Sequence, residues 1–385
     1  MSWHIEWIEG GANAATSALC QRWDEAFENN GNIYQSRQLI RCWENTIALN
    51  EGKQAFLVIA KDEHGHEVVY CMYSQQTKMF GLKRSLLEPA GAAIDFDYQD
   101  PISIGAPMSD SDWTQFWQSL YKSAGLHFNK IGLFAAYRVS NSYSGGLGEV
   151  QKVNGVSPFL PLEGYTVLDD VLNHCGSAHR SNVRRRLRKA ERIGPVSLHL
   201  VQAQDIDRAL EDMFTCYASQ WGDDNKPHYF MRPIARSFYQ TLAHTASELG
   251  KLHFSYVKVG DDIWNWHFGL QHNGSLLWLK PTYVQGFQKN SPGLVHLALL
   301  IKHGLEHGIR EIDFGYGPEP YKYLWTKRDR TLCTMEFFGA DSLLTGARCF
   351  HTTAAAGHSA ITRSKYAEYI RWKWKSIRGN SADQG

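Results

Sequence analysis

The run LHFSYVKVGDDIWNWHFGLQHNGSLLWLK, residues 252–280, decides the fold. Apolar and polar side chains alternate over 252–259 and again over 263–271, the period of a half-buried strand. Gly260-Asp261-Asp262 separates these two strands, and Asn273-Gly274, a pair suited to the positive φ angles of a tight hairpin, returns the chain into a third strand over 275–280. The pattern predicts an antiparallel meander. Ser291-Pro292-Gly293 then opens a helix whose Leu294, Leu297, Ala298, Ile301 and Leu305 share one face, and Gly308 ends it. A further strand is expected over 310–314, a loop over 315–322 and a last strand over 332–338.

Upstream, a helical pattern with a basic end covers 167–193, followed by a strand at 196–201 and helices at 204–220 and 233–249. The first part of the chain alternates helices (14–29, 36–49, 110–123) with strands (55–60, 68–73, 130–136, 157–162) around a turn-rich stretch at 89–105. The change of character near Gly164 predicts a first domain over 1–165, a second over 166–345 and a basic tail over 346–385. Two domains also suit 385 residues, 43% of them hydrophobic and 13% aromatic. Forty basic and 39 acidic residues leave a formal charge of +1, so any case for nucleic acid or membrane is local. The seven cysteines are scattered and lack C-x-x-C spacing, which fits a reducing, cytoplasmic setting. The opening MSWHIEWIEG lacks the pattern of a secretory signal, and no apolar run reaches the length of a membrane span.

A helix start beside a strand end holds free N–H groups for a pyrophosphate; Pro is tolerated in the first turn, and Gly admits a phosphate close to the backbone. The same three residues also make an ordinary helix start. Asn290-Ser291-Pro292-Gly293-Leu294, the helix end His307-Gly308, Ile312-Asp313-Phe314-Gly315, Glu319-Pro320-Tyr321-Lys322 and Trp325, in that order, resemble the CelD-type acetyltransferases (the BioF2-like family) of the GNAT superfamily. Looser matches are Tyr34-Gln35-Ser36 with Trp43 and the turn region 91–101. The resemblance spans most of residues 30–340. It implies an α/β (α+β) protein of two GNAT-like domains, each a mixed, mostly antiparallel sheet flanked by helices, the first one degenerate. It also implies acetyl-CoA or another acyl-CoA as donor. The superfamily's Q/R-x-x-G-x-G/A loop is absent, so Ser291, Pro292, Gly293, Leu294 and Val295 stand in as the donor-binding residues.

Amine attack on a thioester needs a base for the amine and an acid for the leaving thiolate. His267, on the same strand face as Asn265, is the leading base by this reading. Tyr321 and Lys322 are candidates for the acid and for an anion contact, with Asp313 orienting either; Asp313 equally suits a cap on the Gly315 loop. Asn265, Trp278, Tyr283 and Trp325 are candidates for the acceptor pocket, although strand aromatics also form cores. His303 and His307 lie at i and i+4 without a third ligand, and no metal is expected.

Residues 179–192 carry seven basic and one acidic side chain, a local charge of +6. A solvated helix face, a site for the CoA phosphates or an anionic acceptor, and nucleic acid are the readings in descending order. The segment 359–378, with local charge +5 and an apolar face of Tyr366, Ile370, Trp374 and Ile377, suits either an anionic membrane surface or docking onto the protein body. The leading expectation is an acyl-CoA-dependent N- or O-acyltransferase acting on a small or saccharide-linked acceptor, in polysaccharide or envelope metabolism. Rivals are a FemAB-like aminoacyl-tRNA-dependent transferase and a non-catalytic scaffold of polysaccharide synthesis.

Overall fold

The computed structural model describes residues 3–79, 82–91, 95–128, 131–140, 153–221 and 229–338. Its first half runs β1 (His4–Glu9), α1 (Ser17–Asn30), α2 (Arg37–Trp43), β2 (Gln54–Lys61), β3 (Glu67–Met79), β4 (Leu82–Pro89), β5 (Ile102–Ser103), α3 (Asp110–His127), β6 (Ile131–Ser140) and β7 (Val153–Pro161). Two helices, α4 (Leu168–His174) and α5 (Ser177–Ile193), lead into the second half. There follow β8 (Val196–Leu200), α6 (Ile206–Trp221), α7 (Pro233–Glu248), β9 (Leu252–Val259), β10 (Asp262–His272), β11 (Ser275–Leu277), β12 (Pro281–Tyr283), α8 (Pro292–Glu306), β13 (Glu311–Asp313) and β14 (Asp329–Phe338).

The halves repeat one plan: a strand, two helices, a run of strands, a helix and a strand, with one more strand at the end. In both, a strand one place ahead of the short strand that precedes the last helix runs parallel to the strand after that helix, β4 with β6 and β11 with β13, while the other pairings are antiparallel. The final strands are exchanged. β14 hydrogen-bonds to β6 of the first half and to β7, and β7 in turn pairs with β13 of the second half. One continuous sheet results, in the order β1-β2-β3-β4-β6-β14-β7-β13-β11-β10-β9-β8. The boundary expected near 165 thus falls just after a strand whose partners lie beyond residue 310.

Burial follows the pleat. On β10, Trp266, Phe268 and Leu270 join a core shared with α1, α2, α6 and α7, so these four helices pack the halves together. On the opposite face, Leu276, Trp278 and Ile312 pack with Leu297, Ala298 and Ile301 of α8 and Val183 of α5. A third core lies under α3, where Trp117, Phe116 and Leu120 meet Tyr70 and Phe134.

Several expectations change. The helix over 167–193 is two, because Cys175 and Gly176 take extended backbone between α4 and α5. The helix expected over 36–49 ends as α2 at Trp43 and continues as a π-turn, Glu44–Ala48. The third strand of the meander stops at Leu277. β1, β4 and β12 were not anticipated, being short or interrupted by charged residues. The tail at 346–385 lies outside the described residues. Among the described residues, no helix is long and apolar enough to cross a membrane.

Candidate functional site

The repeated plan gives the site an internal control, because α3 and α8 hold equivalent places. At α3, Ser109 accepts a hydrogen bond from the Asp112 N–H and Asp112 reaches back to the Ser109 N–H, so the helix start is closed by its own side chains. Asp110 and Asp112 add negative charge there. The start of α8 differs in every respect. Ser291 sits in the left-handed region (φ 55°) and makes no side-chain cap, Pro292 and Gly293 follow, and the first turn carries no acid. A Cβ built on Gly293 meets only Asn265 Oδ1, at 4.0 Å, so the approach to the helix start is open. Arg186, from the basic α5, donates to the Lys289 carbonyl (2.7 Å) in the turn before α8, and its buried Nε has no partner. Positive side chains and the helix dipole therefore converge there, whereas α3 is set against an anion.

Beside this helix start the sheet opens. β11 and β13 pair over three residues only; the Trp278 N–H still reaches the Asp313 carbonyl (2.7 Å), after which β12 pairs with β10 alone and the other chain turns into the 315–325 loop. On the α8 face of the split lies a buried polar chain. The Asn265 amide donates to His296 Nδ1 (2.9 Å), which leaves the His296 proton on Nε2 to meet Ser255 Oγ (3.0 Å). Ser255 faces His267 Nδ1 at 3.5 Å, and His267 Nε2–H points to the Leu277 carbonyl (3.2 Å). Those proton positions follow from the donors and acceptors available. His267 is fully buried and stacks on Trp278 (4.4 Å between centroids). Burial first, then His296 and His253, hold its pKa well below 6.5, so the ring is neutral.

Asp313 points the other way, toward the first half. Tyr98 donates to its Oδ2 (2.6 Å), while the Ser157 hydroxyl (3.2 Å) and the Gly315 N–H (2.8 Å) reach Oδ1. Arg330 stands 3.5 Å from Oδ2. Burial, opposed by Arg330 and Tyr98, raises the carboxyl to about 6. A cavity of about 490 Å³ opens here, walled by both halves. Further along the same seam, Asp95 accepts from Trp43 Nε1 (2.8 Å) and from the Tyr229 hydroxyl, Lys280 lies over the Tyr229 ring, and Arg138 joins Asp97 to the face of Tyr316. Gly315 is required there, since a Cβ would come within 2.4 Å of Asp97 Oδ2 at φ +68°.

The residues singled out from sequence therefore divide. Asn265, His267 and Trp278 meet on the α8 face, and Asp313 lies on the opposite one. Tyr321 is 38% exposed, yet its hydroxyl is enclosed against Trp278, and burial raises its pKa. Lys322 is buried with Nζ donating to the carbonyls of Gly315 (2.9 Å), Tyr316 (3.2 Å) and Gly317 (3.0 Å) and paired with Glu319. Trp325 packs edge-on against His179 in the core under α4, and half-buried Tyr283 pairs with Asn265 in the β10–β12 ladder. Tyr98, Ser157, Arg330, His296 and Ser255 were missed. For the seam, the signal was the clustering of Tyr34, Trp43 and the 91–101 turn region, which meet there.

Residues 177–323 match the model of the acetyltransferase (GNAT) domain. The matched segment runs from the start of α5 to just short of β14. In solved structures, the chain is similar to FemX (TM-score 0.56, 12% identity, covering 88% of this chain and 99% of that one). It is also similar to the C-terminal domain of a putative lysylphosphatidylglycerol synthetase from Agrobacterium fabrum (TM-score 0.52, 11% identity, 86% and 95% covered). At these identities the likeness is one of fold, and it extends over both halves of the GNAT-like pair. No curated protein matches the chain significantly. Among the described residues, no group of three or more His, Cys, Asp or Glu is placed to hold a metal ion.

Proposed function

We propose that the chain is an acyl-CoA-dependent acyltransferase whose second half binds the donor and whose acceptor enters from the seam between the halves. The carrying observation is the contrast between α3, closed by a capping box and two acids, and α8, uncapped, glycine-bearing and flanked by Arg186. In this reading the pyrophosphate sits on residues 291–295, with the pantetheine arm entering the split beyond Leu277 and Asp313. The acceptor nitrogen bonds to the thioester carbonyl carbon and the C–S bond breaks. Asp313, at the mouth of the split with a carboxyl near 6, takes the amine proton, and the Tyr321 hydroxyl protonates the leaving thiolate. His267 is a positioning residue that fixes the Leu277 carbonyl and the Trp278 ring. Lys322 holds the 315–317 loop. The acceptor is small or saccharide-linked, and the CelD-type resemblance favours a place in surface-polysaccharide metabolism.

Titration calorimetry with acetyl-CoA and CoA tests the donor site, using the wild type and Gly293→Asp. The substitution has room and puts a charge where the pyrophosphate would lie. Binding by the wild type that falls at least tenfold in the variant supports the reading. A wild type that binds neither compound refutes it and favours aminoacyl transfer or a scaffold role.

A further inference from the structure

β6 carries a bulge. Its ladder with β14 pairs Val139 with Cys333 and Ala136 with Met335, so positions 137 and 138 together stand opposite Thr334. A bulge of this kind bends the strand and re-aims the side chain it carries. Arg138 there takes φ +54°. The two other described non-glycine residues in that left-handed region are Asn273, in a hairpin turn, and Ser291, at the start of α8; Arg138 is the one inside a strand. A long side chain keeps this conformation only where its surroundings fix it, and such positions cluster at functional sites.

What Arg138 reaches lies in both halves. It is buried; its Nη1 donates to the Phe96 carbonyl (2.7 Å) and stands 3.3 Å from Asp97 Oδ1, and its guanidinium carbon lies 4.3 Å from the centre of the Tyr316 ring. Tyr316 belongs to the loop that follows β13, and the first half meets that loop at three successive residues. The Asp97 carboxylate leaves no room for a Cβ at Gly315. The Tyr316 ring also rests on the β7 backbone, where a Cβ at Gly155 would come within 2.3 Å of it. The Gly317 N–H donates to the Val156 carbonyl (2.8 Å). Within the loop, Lys322 Nζ gathers the carbonyls of the same three residues. Lys322 adjoins Tyr321, whose hydroxyl accepts a hydrogen bond from the Trp278 side chain beside the split. A continuous chain of contacts thus runs from the β6 bulge through Tyr316 and Lys322 to Tyr321.

We propose that Arg138 is a positioning residue through which the first half of the chain sets the Tyr321 hydroxyl at the split in the second. That this serves proton donation to the leaving thiolate rests on the acyltransferase reading; the positioning does not. It gives the bulge a function, because the re-aimed guanidinium joins the two halves at this loop.

The test is a pH titration by carbon NMR of the full chain, isotopically labelled at the tyrosine Cζ and free of any acyl donor, with the Tyr321 signal assigned by its loss in Tyr321→Phe. Burial is the largest cause of the raised Tyr321 pKa, ahead of Glu319 and Asp97, so release of the hydroxyl to water lowers it even with the Asp97 charge bared. In the wild type Tyr321 is expected to stay protonated well above the ordinary tyrosine value of about 10, and in Arg138→Met to titrate about 1 unit or more lower. Arg138→Lys, which keeps a cation against the ring, should restore most of the difference. Tyr316→Leu removes the ring but leaves the Arg138–Asp97 pair; it should act as Arg138→Met does, and it carries the test if thermal unfolding shows that Arg138→Met does not fold. An Arg138 with a purely structural role would lower the unfolding temperature and leave the Tyr321 signal unmoved. A Tyr321 that titrates in the folded variants as in the wild type, or that titrates near its ordinary value in the wild type itself, overturns the proposal. Because no acyl donor is present, failure of acetyl-CoA to bind would sink the function proposed above and leave this result standing, whereas an unmoved Tyr321 signal would remove Arg138 from the site and leave donor binding standing.

Discussion

His253 is a buried imidazole on β9 whose two ring nitrogens lack a hydrogen-bond partner, with His303 at 5.3 Å and His267 at 6.0 Å between ring centroids. Burial first, then the charge of His303, lowers its pKa from 6.5 to about 4. A group depressed on folding contributes stability that is complete above its unfolded value and is lost as pH falls toward its folded one. With unfolded and folded values of 6.5 and about 4, linkage gives a loss of about 2 kcal/mol at pH ~5 relative to pH ~7.5. His253→Leu, of similar volume, removes this term and two unsatisfied nitrogens together. Denaturant unfolding at the two pH values should therefore show the variant losing about 2 kcal/mol less than the wild type on acidification, with stability at pH ~7.5 within about 1 kcal/mol. Differencing the two proteins cancels the part of the His267 and His296 contributions that comes from burial, the largest cause for each. An identical pH dependence in the variant would mean that His253 is solvated or paired, and the packing described for the β9–α8 interface would be wrong.

Glu44 should act in the opposite sense. Burial raises it from 4.5 to about 7 despite bonds from the Tyr73 hydroxyl and the Ala12 N–H, so its contribution is complete below about 4.5 and is lost as pH rises through 7. Glu44→Gln should flatten stability between pH ~5 and ~8, removing a change on the order of 2 kcal/mol in chemical unfolding. Lys322→Met should cost about 3 kcal/mol, since it strands three carbonyls and the Glu319 carboxylate, and hydrogen exchange in the 315–319 loop should rise with it. A variant as stable as the wild type would free Lys322 for the anion contact first expected of it.

Local order was legible where neighbours in sequence are neighbours in space. The β9–β10–β11 meander and α8 stand close to their expected places because alternation, an Asn-Gly turn and a Pro-Gly start are short-range signals. Alternation also put Asn265 and His267 on one face, and a bulge between Ile263 and Asn265 leaves that relation intact. What escaped was long-range. Tyr98 and Asp313 are separated by 215 positions and Ser157 and Asp313 by 156, and no periodicity links such residues. The pair of GNAT-like halves was reached through the family resemblance and through no internal repeat, because the two halves share an order of elements rather than a run of residues. The full burial of His267 was not legible for a related reason: strand position says which face a side chain occupies, but not that a helix will cover it.

The reciprocal exchange of β7 and β14 bears on how the chain is made. During synthesis, the first half emerges with the edge of β6 exposed, and the strand that covers it is completed only at Phe338. β7 waits for β13 and β14 on its two sides. Neither half can close its sheet while the other is missing, so folding of the pair is coupled in time. A fragment ending near residue 165 would carry open strand edges prone to pair with other chains. Separating the two halves by cutting the chain is thus closed off by topology, and point substitutions are the means of dissecting this protein.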